Sequence, residues 1–451
     1  MTYESREKIL QGQSAKVPYE KIIRKHTAAA KWTSRQRLQA VLDRRPVDRL
    51  CVDFGAGGQT GIGCCAVHRL RRAVLGDPDW RVKVIEPYQM LGEIDEDLRR
   101  ALELDVVGID PPCDMFGLRH DRWKAFKMPA DKTEVFVPEQ FNYTDDGNGN
   151  LLMYPQGETS VAPCAKMPKY SYFWDALNRQ QPLDENRLDP RDNCEEFGIM
   201  SDEDVNYYKQ KVDWYYENTD AGIYLTFPSL AFGDIALVPA PWMKHPKGIR
   251  DVEEWYISTA MRRDYVYKVF EKQCEIGLQN IEKLAPVLGD KVQVVFVSGT
   301  DFGTQRGPFI SPQAYRDLYK PFQKAINDKI HELTNWKIFI HCCGSIYKLI
   351  PDIIEAGFDI LNPVQCSAAE MDPIRLKKEF GEVLIFWGGG VDTQKTLPFG
   401  TPQEVYQEVS ERIHIFNANG GYVFNSIHNV QSNVPTENIL AMFEAIHDAS
   451  K

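Results

Sequence analysis

Six times after residue 200, a short run of Val, Ile, Leu and Phe follows one helix-length segment, and five of the six runs end in Gly or Asn. The runs are AGIYLTF, VQVVFVSGT, WKIFIHCCG, FDILNPVQ, VLIFWGGG and GGYVFNSIHN. The spacing predicts helices over Ser201–Asn218, Val252–Ala285, Ser311–Leu333, Ile346–Ala356, Ile374–Phe380 and Thr401–Asn419 between them. Runs too apolar to alternate must be buried on both faces, which is what a parallel sheet covered by helices provides. LCVDFGAGG and DVVGIDPP add two earlier strands, Leu50–Phe54 and Asp105–Ile109, with helices expected in SRQRLQAVLDRRPVDR, through Leu70–Leu75 and over Ile94–Leu104. Eight strand–helix units close into a (β/α)8 barrel. A doubly wound open sheet is the alternative, but GAGGQTG after the first strand is glycine-rich without the G-x-G-x-x-G spacing of a dinucleotide turn.

Between about residues 120 and 200 the helical period disappears. VFVPEQFNYTDDGNGNLLMYPQGE alternates as strands do around a hairpin signal, and Pro, Tyr, Asn and Asp then dominate. The reading is a β-rich cap inserted after the second strand, with residues 1–34 as an N-terminal arm and 35–451 as the barrel. Tyr170, Tyr172, Phe173 and Trp174 in the cap either roof an apolar substrate or form a core of their own.

The chain has 451 residues and a formal charge of −11, which argues against a nucleic-acid partner. No run approaches the roughly 18 apolar residues of a membrane span, and MTYESREKILQGQSAK lacks the apolar centre of a secretion signal, so a cytoplasmic protein is expected. The ten cysteines show no disulfide framework.

Barrel chemistry collects at the carboxyl ends of the strands. Those ends carry Asp53, Asp110, Asp301 with Gln305, His341-Cys342-Cys343, Gln365 with Cys366, Gly388–Gly390, and His428-Asn429. In an extended segment His341 and Cys343 point to the same side and Cys342 away. Imidazole and thiolate suit zinc, whose catalytic sites use three protein ligands and keep one position open. His428 is the best-placed third ligand and Cys366 its rival; two core residues finishing a buried strand remain the plain alternative. Asp301 is a candidate hydrogen-bond acceptor or general base. Gln305, Gln365 and Asn429 are candidates for orienting substrate, although turn chemistry explains Gln365 and Asn429 as well.

The strand-end motifs occur in a familiar order. SRQRLQAVLDRRPVDR, VSGTDFGTQRGPFISPQAYRDLYKP, FIHCCGSIYKLIPDIIEAGFDILNPVQ and GGYVFNSIHNVQSNVPTENILAMFEA resemble the uroporphyrinogen decarboxylase superfamily, which includes cobalamin-dependent methyltransferases. The resemblance runs from about Arg35 to the end, much of the cap excepted, and implies the same barrel. The decarboxylases share an Arg-Gln-Ala-Gly-Arg stretch after the first strand, whose arginines hold the tetrapyrrole's carboxylates. FGAGGQTGI stands in that place here, without an arginine. The zinc methyltransferases carry His-x-Cys after a late strand and a distant Cys near the last; His341 and Cys343 match the first part, and His428 stands where the Cys is expected.

The methyltransferase branch implies one zinc per chain, held by His341, Cys343 and His428. It also implies a small methylated donor, such as a methoxylated aromatic undergoing O-demethylation, and a separate corrinoid protein as acceptor. A homodimer is left open. Two other functions stay on the page: a metal-free decarboxylase or lyase, with arginine supplied from elsewhere such as Arg306, and a non-catalytic binding protein on the same fold.

Overall fold

The computed structural model describes residues 32–450. Most of the expected N-terminal arm therefore lies outside the described residues. Eight parallel strands form the central sheet: β1 (Cys51–Val52), β2 (Val106–Ile109), β3 (Gly222–Thr226), β4 (Val294–Ser298), β5 (Lys337–His341), β6 (Ile360–Asn362), β7 (Ile385–Trp387) and β8 (Tyr422–Phe424). All eight fall on the runs named above. Neighbours pair in chain order from β2 to β8, and β8 pairs with β1. Asp105 bridges the remaining seam: its N–H donates to the Val52 carbonyl at 2.8 Å, and its carboxylate accepts the Val52 N–H at 2.9 Å. The sheet is thus a (β/α)8 barrel.

The barrel is filled, as small barrels are, by side chains from alternate positions. Tyr224, Phe296, Phe339 and Trp387 form an aromatic floor, with Tyr224 edge-on to Phe339 at 5.1 Å and Phe339 edge-on to Trp387 at 5.5 Å. Below them, helix α1 (Ser34–Leu42) closes the amino-terminal end with Leu38, Val41 and Leu42. A capping box between Thr33 and Gln36 fixes its start. His341 lies two residues after Phe339 on the same strand, so the pleat sets it above the floor and facing the barrel axis.

After β2 come a two-stranded sheet (Trp123–Lys127 with Glu134–Pro138) and a four-stranded antiparallel one whose hairpin turns at Asp146–Asn150. Phe126, Phe141 and Trp174 pack edge to face within this inserted region. Trp174 belongs to that core and also lines the cavity beneath it, whereas Tyr170 is exposed.

Two expected helices are each broken in two. The segment Ser311–Leu333 forms Pro312–Leu318 and Lys320–Leu333, because Pro321 has no N–H to donate and its ring crowds the preceding turn. The segment from Val252 divides at Arg262 (φ −128°, ψ 47°) into Val252–Met261 and Arg263–Leu288. No proline or glycine forces that second break. Its effect is to let Val252–Met261 turn towards the barrel mouth, where the Tyr256 hydroxyl donates to the Asp301 carbonyl at 2.8 Å. A short hairpin, Val84–Glu86 with Leu91–Gly92, lies between β1 and β2. Among the described residues no helix is long and apolar enough to cross a membrane.

Candidate metal centre

His341, Cys343 and His428 meet at the carboxyl end of the barrel, each offering one ligand atom, all within 4.8 Å of one another. Cys343 Sγ lies 3.2 Å from His341 Nε2, and the two imidazole rings stand 5.3 Å apart at 73°. Cys366 is not in the cluster; its thiol donates to the Val364 carbonyl at 3.3 Å.

The tautomer of His341 follows from its neighbours. Asn362 donates its amide N–H to the Trp387 carbonyl at 2.7 Å, and a carbonyl can only accept, so the Asn362 oxygen must face the other way. That oxygen bonds His341 Nδ1, which therefore carries the proton. Nε2 is left as a bare lone pair turned towards Cys343. A carbonyl-type oxygen behind an imidazole is the usual support of a metal-binding histidine. Burial lowers His341 to a pKa of about 4, against the opposing Asn362 bond. Burial and the His341 ring also bring His428 to about 4, although Asp301 favours its charged form. Both rings are neutral at pH 7, the form that binds metal. Burial, and then Asp301, push the Cys343 thiol well above its usual range; a bound cation would reverse that. Two neutral imidazoles and one thiol, with no fourth ligand in the cluster among the described residues, fit a zinc site with an open position.

Asp301 accepts the Cys343 N–H at 2.6 Å and so ties the loop after β4 to the ligand strand. The two loops also touch directly. A Cβ at Gly303 would come within 2.5 Å of the Cys343 carbonyl oxygen, and one at Gly344 within 2.3 Å of the Gly303 carbonyl carbon. Only glycine fits at either position. Burial raises the Asp301 carboxyl despite the Cys343 N–H.

A cavity of about 1170 Å³ opens beside the cluster, between the barrel mouth and the inserted region. Asp301, His341 and His428 form part of its wall. A smaller recess of about 320 Å³ reaches Cys343 and His428 from another side and is lined by Gln305, Gln365 and Gln394. Gln365 accepts the Gly344 N–H at 2.7 Å, and Gln305 donates to Gln394 at 3.3 Å. Asn429 lines neither space. Its amide accepts the Gly61 N–H at 2.6 Å and donates to the Gly58 carbonyl and Gln89, which fastens the loop after β1 to the end of β8.

The large cavity also holds acidic residues that no strand-end motif marks. Asp234, on the loop after β3, is raised by burial to about 7, with Asp301 adding to the shift and the Ala236 N–H opposing it. Glu86, on the hairpin between β1 and β2, is raised by burial to about 7 against N–H bonds from Gln89 and Tyr88, with Asp114 and Asp110 adding to it. Neither position carries a motif. Each is an acid beside apolar residues in a connecting segment, and only the folded chain brings it to the mouth.

Residues 247–449 match the family described as uroporphyrinogen decarboxylase (URO-D). Among solved structures, a methyltransferase from Methanosarcina mazei shares the fold with a TM-score of 0.51 and 14% sequence identity, over 92% of this chain and 99% of that one. No curated protein matches the chain. The segment that resembles the uroporphyrinogen decarboxylase family, residues 247–449, contains Asp301, His341, Cys343 and His428.

Proposed function

We propose that the protein is a zinc-dependent methyltransferase that takes a methyl group from a small O-methylated donor, of methoxylated aromatic type, and passes it to the corrinoid of a separate protein. The observation that supports this most is the convergence of His341, Cys343 and His428 on the wall of a large cavity. The solved methyltransferase of the same fold supports it by analogy.

Bound by these three residues, zinc would supply a Lewis acid for the oxygen that the methyl group leaves. The remaining work falls to the protein. Asn362 holds the His341 ring in one orientation and one tautomer. Asp301 fixes the backbone of Cys343 and stands in the same wall, where it can accept a hydrogen bond from the donor or hold its proton. Aromatic residues including Phe227, Trp242 and Phe296 give the cavity an apolar lining for a ring. The inserted region covers it and keeps water from competing for the methyl group. On this reading Gln305 and Gln365 meet the reactants from the smaller recess, and Asn429 shapes the cavity through the loop it fastens.

Tetrapyrrole decarboxylation has less support, since a polycarboxylate needs fixed cations. Arg306 is exposed and lies outside the large cavity.

The test is metal content measured beside methyl transfer to a corrinoid, in wild type, Cys343→Ser and His428→Ala. About one zinc per chain is expected in wild type. Both zinc and methylated corrinoid should be lost in the two variants. Failure to take up zinc, or transfer that survives both substitutions, would sink the proposal.

A further inference from the structure

We propose that the large cavity selects its methyl donor by charge: the donor presents O–H or N–H groups to Asp234 and Asp110 and carries no carboxylate. The inference rests on that cavity being the donor's chamber. It adds a substrate class that neither the family match nor the metal cluster supplies.

Asp234 is 9% exposed and uses one carboxylate oxygen to accept the Ala236 N–H at 2.9 Å. The other oxygen has no hydrogen-bond partner among the described residues. It lies over Gly299, where a Cβ would stand 2.6 Å from it. The absence of a side chain at 299 is therefore what lets this acid lie there, in the cavity wall. Asp110 likewise gives one oxygen to the Thr226 hydroxyl at 2.9 Å and keeps the other. The buried Asp234 and the half-buried Asp110 thus each present an unused acceptor to one space.

Of the cations in the cavity wall, Arg250 and His120 are already engaged. Arg250 holds Glu196 through two bonds, at 2.8 and 3.1 Å, and also donates to the Asp192 carbonyl. His120 sits on Asp114 at 3.1 Å. Arg119, also in the wall, is turned to solvent and only loosely paired, with Asp121 4.0 Å away. Burial without a counter-cation is the leading reason Asp234 and Glu86 titrate near 7 instead of near 4. A carboxylate brought into this chamber would lose its water and come up against Asp234, Asp110 and Glu86. A hydroxyl finds waiting acceptors, and an ammonium finds in addition the aromatic faces of Phe227, Trp242 and Phe296.

Three rings that share one hydroxyl and one methoxyl but differ in a single group separate the cases: vanillyl alcohol, vanillylamine and vanillate. Binding to the full, zinc-loaded chain is followed by quenching of tryptophan fluorescence, since Trp174, Trp242 and Trp255 line the cavity. Vanillylamine and vanillyl alcohol should bind about tenfold or more tightly than vanillate. Asp234→Asn and Asp110→Asn should each shrink the gap between amine and carboxylate about threefold or more. Equal binding of all three rings, binding of none, or a gap untouched by both substitutions would overturn the inference. Methyl transfer is scored separately. Selective binding without methylated corrinoid would sink the methyltransferase reading and leave charge selection standing.

Discussion

Charge is buried at both ends of this barrel, and the two ends treat it differently. At the amino-terminal end Asp105 is fully buried and takes Arg37 at 2.6 Å, Arg49 at 2.8 Å and the Val52 N–H. Arg37, itself 1% exposed, also holds Asp48 at 2.7 Å. Every charge there has an opposite charge. At the carboxyl end, Asp53, Glu86 and Asp234 are met by N–H and hydroxyl donors but by no cation, and burial lifts all three to about 7. The first arrangement closes the seam between β1 and β2 and serves the fold. The second is unfavourable by itself, and it lies where the proposed donor would bind. That division is the one expected of barrels, stability below and chemistry above.

The contrast can be broken from either side. The largest effect should come from Arg37→Ala, which strips a buried carboxylate of a partner and should cost about 3–5 kcal/mol in urea unfolding. Zinc content per folded molecule should not change. Unaltered stability would show that the network is not needed for the seam.

At the mouth, Asn362→Leu keeps the volume and removes the acceptor behind His341. Zinc affinity, measured by chelator competition, should fall about 10–100-fold. Unchanged affinity would mean that Asn362 does not set the ring.

The smallest effect concerns pH. Asp234 has an ordinary carboxyl pKa of 3.8 when unfolded and about 7 when folded, so between those values the folded state keeps a proton that the unfolded state has lost. Its contribution is full below about pH 4 and is lost as pH rises through 7. Asp234→Asn should therefore flatten part of the decline in stability from pH 5 to 7.5, by on the order of 1–2 kcal/mol. A slope identical to wild type would mean that Asp234 already has a counter-charge.

The barrel was legible because its strands are buried on both faces and their composition says so without help from the rest of the chain. His341 and Cys343 were legible through the two-residue period of an extended segment, and His428 through its place at the end of the last strand. The break at Pro321 was equally present in the sequence. The break at Arg262 was not, because nothing local opposes a helix there and the cause lies in packing over the mouth. Asp234 and Glu86 were invisible for a related reason. Loop residues follow no period, and an acid's role depends on which cavity closes around it. Gln365 and Asn429 show the converse. Both are polar groups at strand ends, and the fold binds one to the Gly344 N–H and the other to the loop after β1.

The contact between Gly303 and Gly344 has a mechanical consequence. With backbone lying on backbone and Asp301 bonded to the Cys343 N–H, the loops after β4 and β5 have no slack between them. On the proposed function, a donor that displaced the Asp301 loop on entering would carry the cysteine with it. The arrival of one reactant would thereby be registered at the Cys343 sulfur, as a push on a lever is felt at its far end.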